Sequence, residues 1–170
     1  MNDLKILIAG LGNIFNGDDG FGVEVVKRLL DRKLPEGAYV KDFGIRSFDL
    51  AFALVDGYHA AILVDALQRG EAPGTLYVFE PDMATLDEWS SVNMEGHGLH
   101  PAQVLKLATL YGSLPDKILV VGCEPAVMTF SEEGQMELSA PVQANLDQAV
   151  GLVESLVQKL QQERTAIHEP

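Results

Sequence analysis

Two stretches of the chain, residues 4–9 and 60–65, are apolar at nearly every position instead of alternating with polar residues, and each stops abruptly at glycine or aspartate. Unbroken apolar runs of this length belong in strands covered on both faces, which confines the chain to a layered fold. Between them lie a helical apolar stripe over 21–32 (Val23, Val25, Val26, Leu29, Leu30), a strand over 38–43 and a short helix over 48–55. This alternation is the signature of parallel βαβ units. The Gly- and Pro-containing connection over 65–75 is too short for a crossover helix, so the strand 75–79 is predicted to run antiparallel to its predecessor. A helix opens at Pro101, 118–122 is the last strand, and a long amphipathic helix from Ser139 carries Val142, Leu146, Val150, Val153, Leu156, Val157 and Leu160. The expected fold is a single three-layer α/β domain over 1–160. It has a mostly parallel twisted sheet of about five strands with helices on both faces, and a polar tail over 161–170 that frays.

Composition narrows the partners. Among 170 residues, 25 Asp and Glu face 12 Lys and Arg, a net charge of −13 that repels phosphate backbones and anionic lipid headgroups. No nucleic acid and no membrane partner is expected. Cys123 is the single cysteine, so an internal disulfide or a cysteine-based zinc cluster is impossible. The first twelve residues make neither a signal peptide nor a spanning helix, and the protein reads as cytoplasmic.

Topology says which side chains can meet. In α/β folds ligands gather at the C-terminal edge of the parallel strands. Residues 10–19 and Asp65 belong at that edge. If 118–122 is parallel to them, the helix from Pro101 descends and its start, with His97 and His100, belongs there too. His59 precedes a strand and falls at the opposite edge, and His168 lies in the tail.

The loop Gly10-Leu11-Gly12-Asn13-Ile14-Phe15-Asn16-Gly17-Asp18-Asp19-Gly20 begins like a dinucleotide fingerprint. It then departs, with Phe15 at the third glycine position and two carboxylates where a pyrophosphate needs bare amides. One of Asp18 and Asp19 can cap the following helix, a role assigned to Asp18 because both cannot occupy one cap. Asp65 ends a buried strand, where a carboxylate needs solvent, donors or a cation. Alone it reads as a turn former; beside Asp19 and His97 it reads as part of a metal site suited to nickel, zinc or iron. His97 is preferred over His100, since a histidine at a helix start often serves as a partial cap. Cys123, at the end of an apolar strand, reads as a small buried hydrophobe. With no G-x-S-x-G or H-E-x-x-H present, any hydrolysis would need a metal-bound water or a metal-polarised carbonyl.

Taken in order, Gly10-Leu11-Gly12-Asn13 through Asp18-Asp19-Gly20-Phe21-Gly22, Leu63-Val64-Asp65-Ala66, His97-Gly98-Leu99 and Gly122-Cys123-Glu124-Pro125 resemble the motifs of the endopeptidases that mature nickel–iron hydrogenases. The resemblance spans nearly the whole chain. It implies removal of a C-terminal extension from the hydrogenase large-subunit precursor after nickel insertion, with Asp19, Asp65 and His97 as the catalytic and metal-contacting set. It further implies that the nickel is supplied by the substrate, another divalent metal being possible. Asp19 stands where many members have Glu, and Asp42-Phe43-Gly44-Ile45-Arg46-Ser47 replaces a Gly-Gly-Thr type sequence. Arg46 could bind a substrate carboxylate or sit in a structural ion pair. The acidic stretch 80–96 could be a lid, a docking surface for a basic partner or an ordinary solvated loop. Two further readings stand beside the peptidase: a non-enzymatic adaptor that checks nickel loading, and a nucleotide-dependent oxidoreductase.

Overall fold

The computed structural model describes residues 4–91, 100–126 and 134–167, with side chains described to residue 164. Five strands form one sheet: β1 (Ile6–Leu11), β2 (Ala38–Gly44), β3 (Ala60–Ala66), β4 (Leu76–Phe79) and β5 (Lys117–Cys123), in the spatial order β2-β1-β3-β5-β4. All neighbours are parallel except β4 on β5. The short connection after β3 therefore reverses the chain as its length predicts, although β5 lies between β3 and β4.

Every residue of β1 and of β3 is buried, because helices cover both faces of the sheet. On one face α1 (Phe21–Leu30), α5 (Ala140–Ala144) and α6 (Leu146–Ile167) pack Val25, Leu29, Val142, Val150 and Val157 onto Ile6, Ile8, Ile62 and Val64. On the other, α2 (Ser47–Leu54), α3 (Leu86–Ser91) and α4 (Pro101–Thr109) pack Leu50, Leu54, Leu86 and Leu105 onto Leu7, Ala9, Leu63 and Val120. Cys123 is fully buried in the first core, as its apolar surroundings predict, and burial, with the Asp18 and Glu124 charges adding, pushes its thiol up to about 12.

Three expectations need correction. The helix from Ser139 is broken at Asn145, whose side-chain amide donates to the carbonyl of Pro141 (2.9 Å) and ends α5 before α6 begins. The frayed tail from Gln161 is instead helix to Ile167; Gln161 Nε2 donates to the Glu36 carbonyl (3.0 Å) and Lys159 pairs with Glu163 (3.8 Å). In the stretch 80–96, residues 83–85 form a 3-10 turn and 86–91 form α3, anchored by buried Leu86, which corrects the ordinary-loop reading for those residues. Two of its carboxylates are occupied by the chain's own lysines, Glu80 by Lys117 (2.5 Å) and Asp87 by Lys106. Residues 92–96 lie outside the described residues.

Candidate active site

The C-terminal edge of β1 and β3 is shaped by close backbone approach. Gly12, at φ +119°, passes so near the 3-10 turn Gly17–Gly20 that a Cβ would lie 1.8 Å from the Asp19 carbonyl oxygen. Gly22 likewise lets the start of α1 settle on β3, its virtual Cβ 2.1 Å from the Val64 carbonyl oxygen. The glycines thus seat the chain's own Asp19 turn.

Four buried carboxylates stand on or beside this edge: Asp18, Asp19, Asp65 and Glu124. Asp18 accepts from the Ser139 amide (2.7 Å), the Ser139 hydroxyl (2.8 Å) and the Ala126 amide (2.8 Å). It does not cap α1, whose N-cap is Gly20 with no side-chain cap bond, so the capping role assigned to it is corrected. Glu124 accepts from the amides of Arg69 (2.7 Å) and Gly70 (3.3 Å), pinning the segment that follows β3.

Asp19 and Asp65 are treated differently. Asp19 accepts one hydrogen bond, from the Asn13 amide (2.8 Å), and burial raises its pKa against that bond. Among the described residues, Asp65 Oδ1 is buried and meets no hydrogen-bond partner. Its pKa is held well above the usual range, first by burial and then by the charge of Asp19, with a bond from the Ala66 amide opposing both. The two carboxyls are near enough for one charge to oppose the other.

His100 caps α4, its Nδ1 accepting from the Ala102 amide (3.2 Å), and its ring meets Trp89 edge-on (4.7 Å between centroids). Burial lowers its pKa to about 4, so the neutral ring serves as a cap, the lesser role read for it from the sequence. His97 lies outside the described residues. Among the described residues no three His, Cys, Asp or Glu side chains gather as a metal cluster; Asp19 and Asp65 lie within reach of each other's charge, and the third member of the expected set is outside those residues. His59 accepts from the Lys5 amide (3.1 Å) at the opposite edge, where topology puts it.

Arg46 is taken up locally. It donates to the carbonyls of Phe43 (3.1 Å) and Asp42 and lies 3.7 Å from Asp49, the structural alternative read for it.

Residues 23–156 match the hydrogenase maturation protease family. The chain belongs to that family. It is 34% identical over 149 residues to the hydrogenase expression/formation protein HupM of Azotobacter chroococcum, covering 87% of this chain and 69% of that protein. A hydrogenase 2 maturation peptidase from a Thaumarchaeota archaeon superposes with TM-score 0.68 at 32% identity, over 91% of this chain and 98% of that one. The hydrogenase maturating endopeptidase HybD of Escherichia coli shares the fold, with TM-score 0.74 at 24% identity over 92% and 93% of the two chains. As a hydrogenase maturation protease the chain is a hydrolase, and the four motifs that carried the resemblance fall on the loop after β1, the end of β3, the segment before α4 and the end of β5. Among the described residues no helix is long and apolar enough to cross a membrane.

Sequence reasoning quoted Glu124 within a motif without giving it a role, and it missed the long-range partners of Asp18. Glu124 carries the signal that singled out Asp65, a carboxylate directly after a buried strand, and the same desolvation argument applies to it.

Proposed function

We propose that this protease removes the C-terminal extension of a nickel-loaded hydrogenase large-subunit precursor in the cytoplasm, and that Asp19, Asp65 and His97 meet the nickel the substrate carries. The observation that carries the reading is Asp65 Oδ1, a buried carboxylate oxygen with no partner, beside a second carboxylate only partly hydrogen-bonded. Buried polar atoms are almost always paired, and an oxygen left unpaired at a ligand-binding edge fits a cation acceptor. Two carboxylate oxygens and one imidazole suit a borderline divalent ion and leave coordination positions for groups of the substrate. A cation there polarises a carbonyl or acidifies a bound water.

The chain's own part follows from its electrostatics. Burial and the Asp19 charge both raise the Asp65 pKa, so protonation of Asp65 relieves the repulsion between the two acids. Positive charge brought by the substrate would favour the ionised form of Asp65. Asn13, donating to Asp19 Oδ2, holds one carboxylate in place while Oδ1 of Asp65 is left to the incoming ion.

Purified protein mixed with purified nickel-loaded precursor tests the reading. Cleavage with no third protein present is expected, and should depend on nickel in the precursor. Absence of cleavage with retained binding would replace the peptidase by an adaptor that inspects nickel loading.

A further inference from the structure

An arginine that sequence reasoning did not single out stands at the same edge of the sheet. Arg69 follows β3 four positions after Asp65, and its amide is fixed by Glu124 Oε2 at 2.7 Å. Its exposed guanidinium lies over the rings of Tyr77 (4.9 Å) and Phe79 (5.0 Å). Tyr77 is itself held, packing against Gly122 and donating its hydroxyl to the Leu67 carbonyl. The rings continue as a row, Tyr77 to Phe79 (6.3 Å), Phe79 to Trp89 (5.3 Å) and Trp89 to His100 (4.7 Å), along the face of the sheet covered by α3 and α4. One end of the row is the cap of α4 and the other is Arg69.

The cation differs from the other arginine considered for substrate contact. Arg46 is consumed by two backbone carbonyls and Asp49, whereas Arg69 makes no salt bridge to a carboxylate among the described residues, on a chain of net charge −13. Stacking on aromatic faces orients a guanidinium and leaves its edge donors directed outward, and a planar fork of this kind matches a carboxylate. A site built from buried carboxylates repels an acidic peptide, and a preorganised cation on its rim reverses that locally.

We propose that Arg69 is a substrate-binding residue that receives a carboxylate of the peptide substrate, either an acidic side chain of the extension or its terminal carboxylate. This rests on the reading of the chain as the processing peptidase. The test is cleavage of nickel-loaded precursor by the wild type, Arg69→Gln and Arg69→Lys. Arg69→Gln is expected to raise KM about tenfold, the scale of one charge-assisted pair, with kcat within about twofold and an unchanged thermal midpoint. Arg69→Lys, which keeps charge but loses the fork, should fall between. Two altered precursors distinguish the sources, one with the acidic side chains of its extension changed to amides and one ending in a C-terminal amide. With the precursor that lacks the partner carboxylate, the wild type should show the raised KM and Arg69→Gln should raise it no further. An unchanged KM in Arg69→Gln, an effect on kcat alone, or an equal effect on all three precursors would overturn the assignment. Failure of the wild type to cleave any precursor would instead sink the peptidase reading, and Arg69 with it.

Discussion

Asp18 and Asp65 are buried carboxylates at one edge of one sheet, and the chain treats them in opposite ways. Asp18 collects three donors, from Ala126 and Ser139, 108 and 121 residues away in sequence. Asp65, at the end of a strand buried at every position, keeps one oxygen without any donor. A fold able to bring distant amides onto one acid has the means to satisfy a second. On the proposed function, the difference separates a carboxylate that holds the scaffold together from one that meets a ligand, since local rules tend to be broken at functional sites.

The comparison breaks most sharply on a pair of substitutions. Asp65→Asn should reduce precursor processing by about 100-fold or more, the loss of a group that acts on the reacting ion. Its thermal midpoint should not fall below that of the wild type, because no hydrogen bond to Oδ1 is lost. Asp18→Ala should do the reverse to the fold. It takes the acceptor from the amides of Ala126 and Ser139, in part-buried hydrogen bonds, and should cost about 1–3 kcal/mol in denaturant titration. Equal destabilisation by the two variants would erase the distinction.

The same contrast marks what the sequence could and could not disclose. Unbroken apolar runs made β1 and β3 readable because burial on both faces is a local pattern, and the desolvation argument marked Asp65 for the same reason. The position of β5 between β3 and β4 depends on pairing across the whole chain, which no window reveals. Helix α3 was hidden by its acidic residues, although one buried Leu86 and the Trp89 contacts with Phe79 and His100 suffice to anchor it. The donors of Asp18 lie too far away in sequence for any spacing rule, so a helix cap was the nearest local guess. His97 was legible as a motif, but it lies outside the described residues.

A smaller effect sharpens the comparison through pH. Burial first, and the Asp19 charge second, raise the Asp65 pKa, so the native state keeps a proton that the unfolded chain has already released. The native state then binds more protons than the unfolded state, and stability falls as pH rises from the unfolded aspartate range, about 4, up to the raised native pKa. The slope from this one proton is at most about 1.4 kcal/mol per pH unit. Asp65→Asn removes it, so the stability of the variant relative to the wild type should climb with pH over that window. A difference that stays flat would mean that Asp65 ionises in the native state as freely as in the unfolded one.

His100 supplies the smallest effect and an intermediate case, a titratable group kept neutral by burial and used as a cap. Its native pKa, lowered to about 4, means that the native state binds fewer protons than the unfolded state. Stability from this residue is therefore intact above the unfolded histidine range, about 6.5, and falls as pH drops from there toward the native value. His100→Asn retains a good capping acceptor and gives up the edge contact with Trp89, at a cost of about 1 kcal/mol at pH 7.5. The loss of stability between pH 6.5 and 4.5 should be shallower in the variant, read as the difference between two melting series. Processing should remain within about threefold of wild type, since the cap is preserved. A processing defect as deep as that of Asp65→Asn would move His100 from the scaffold group, with Asp18, to the ligand group, with Asp65.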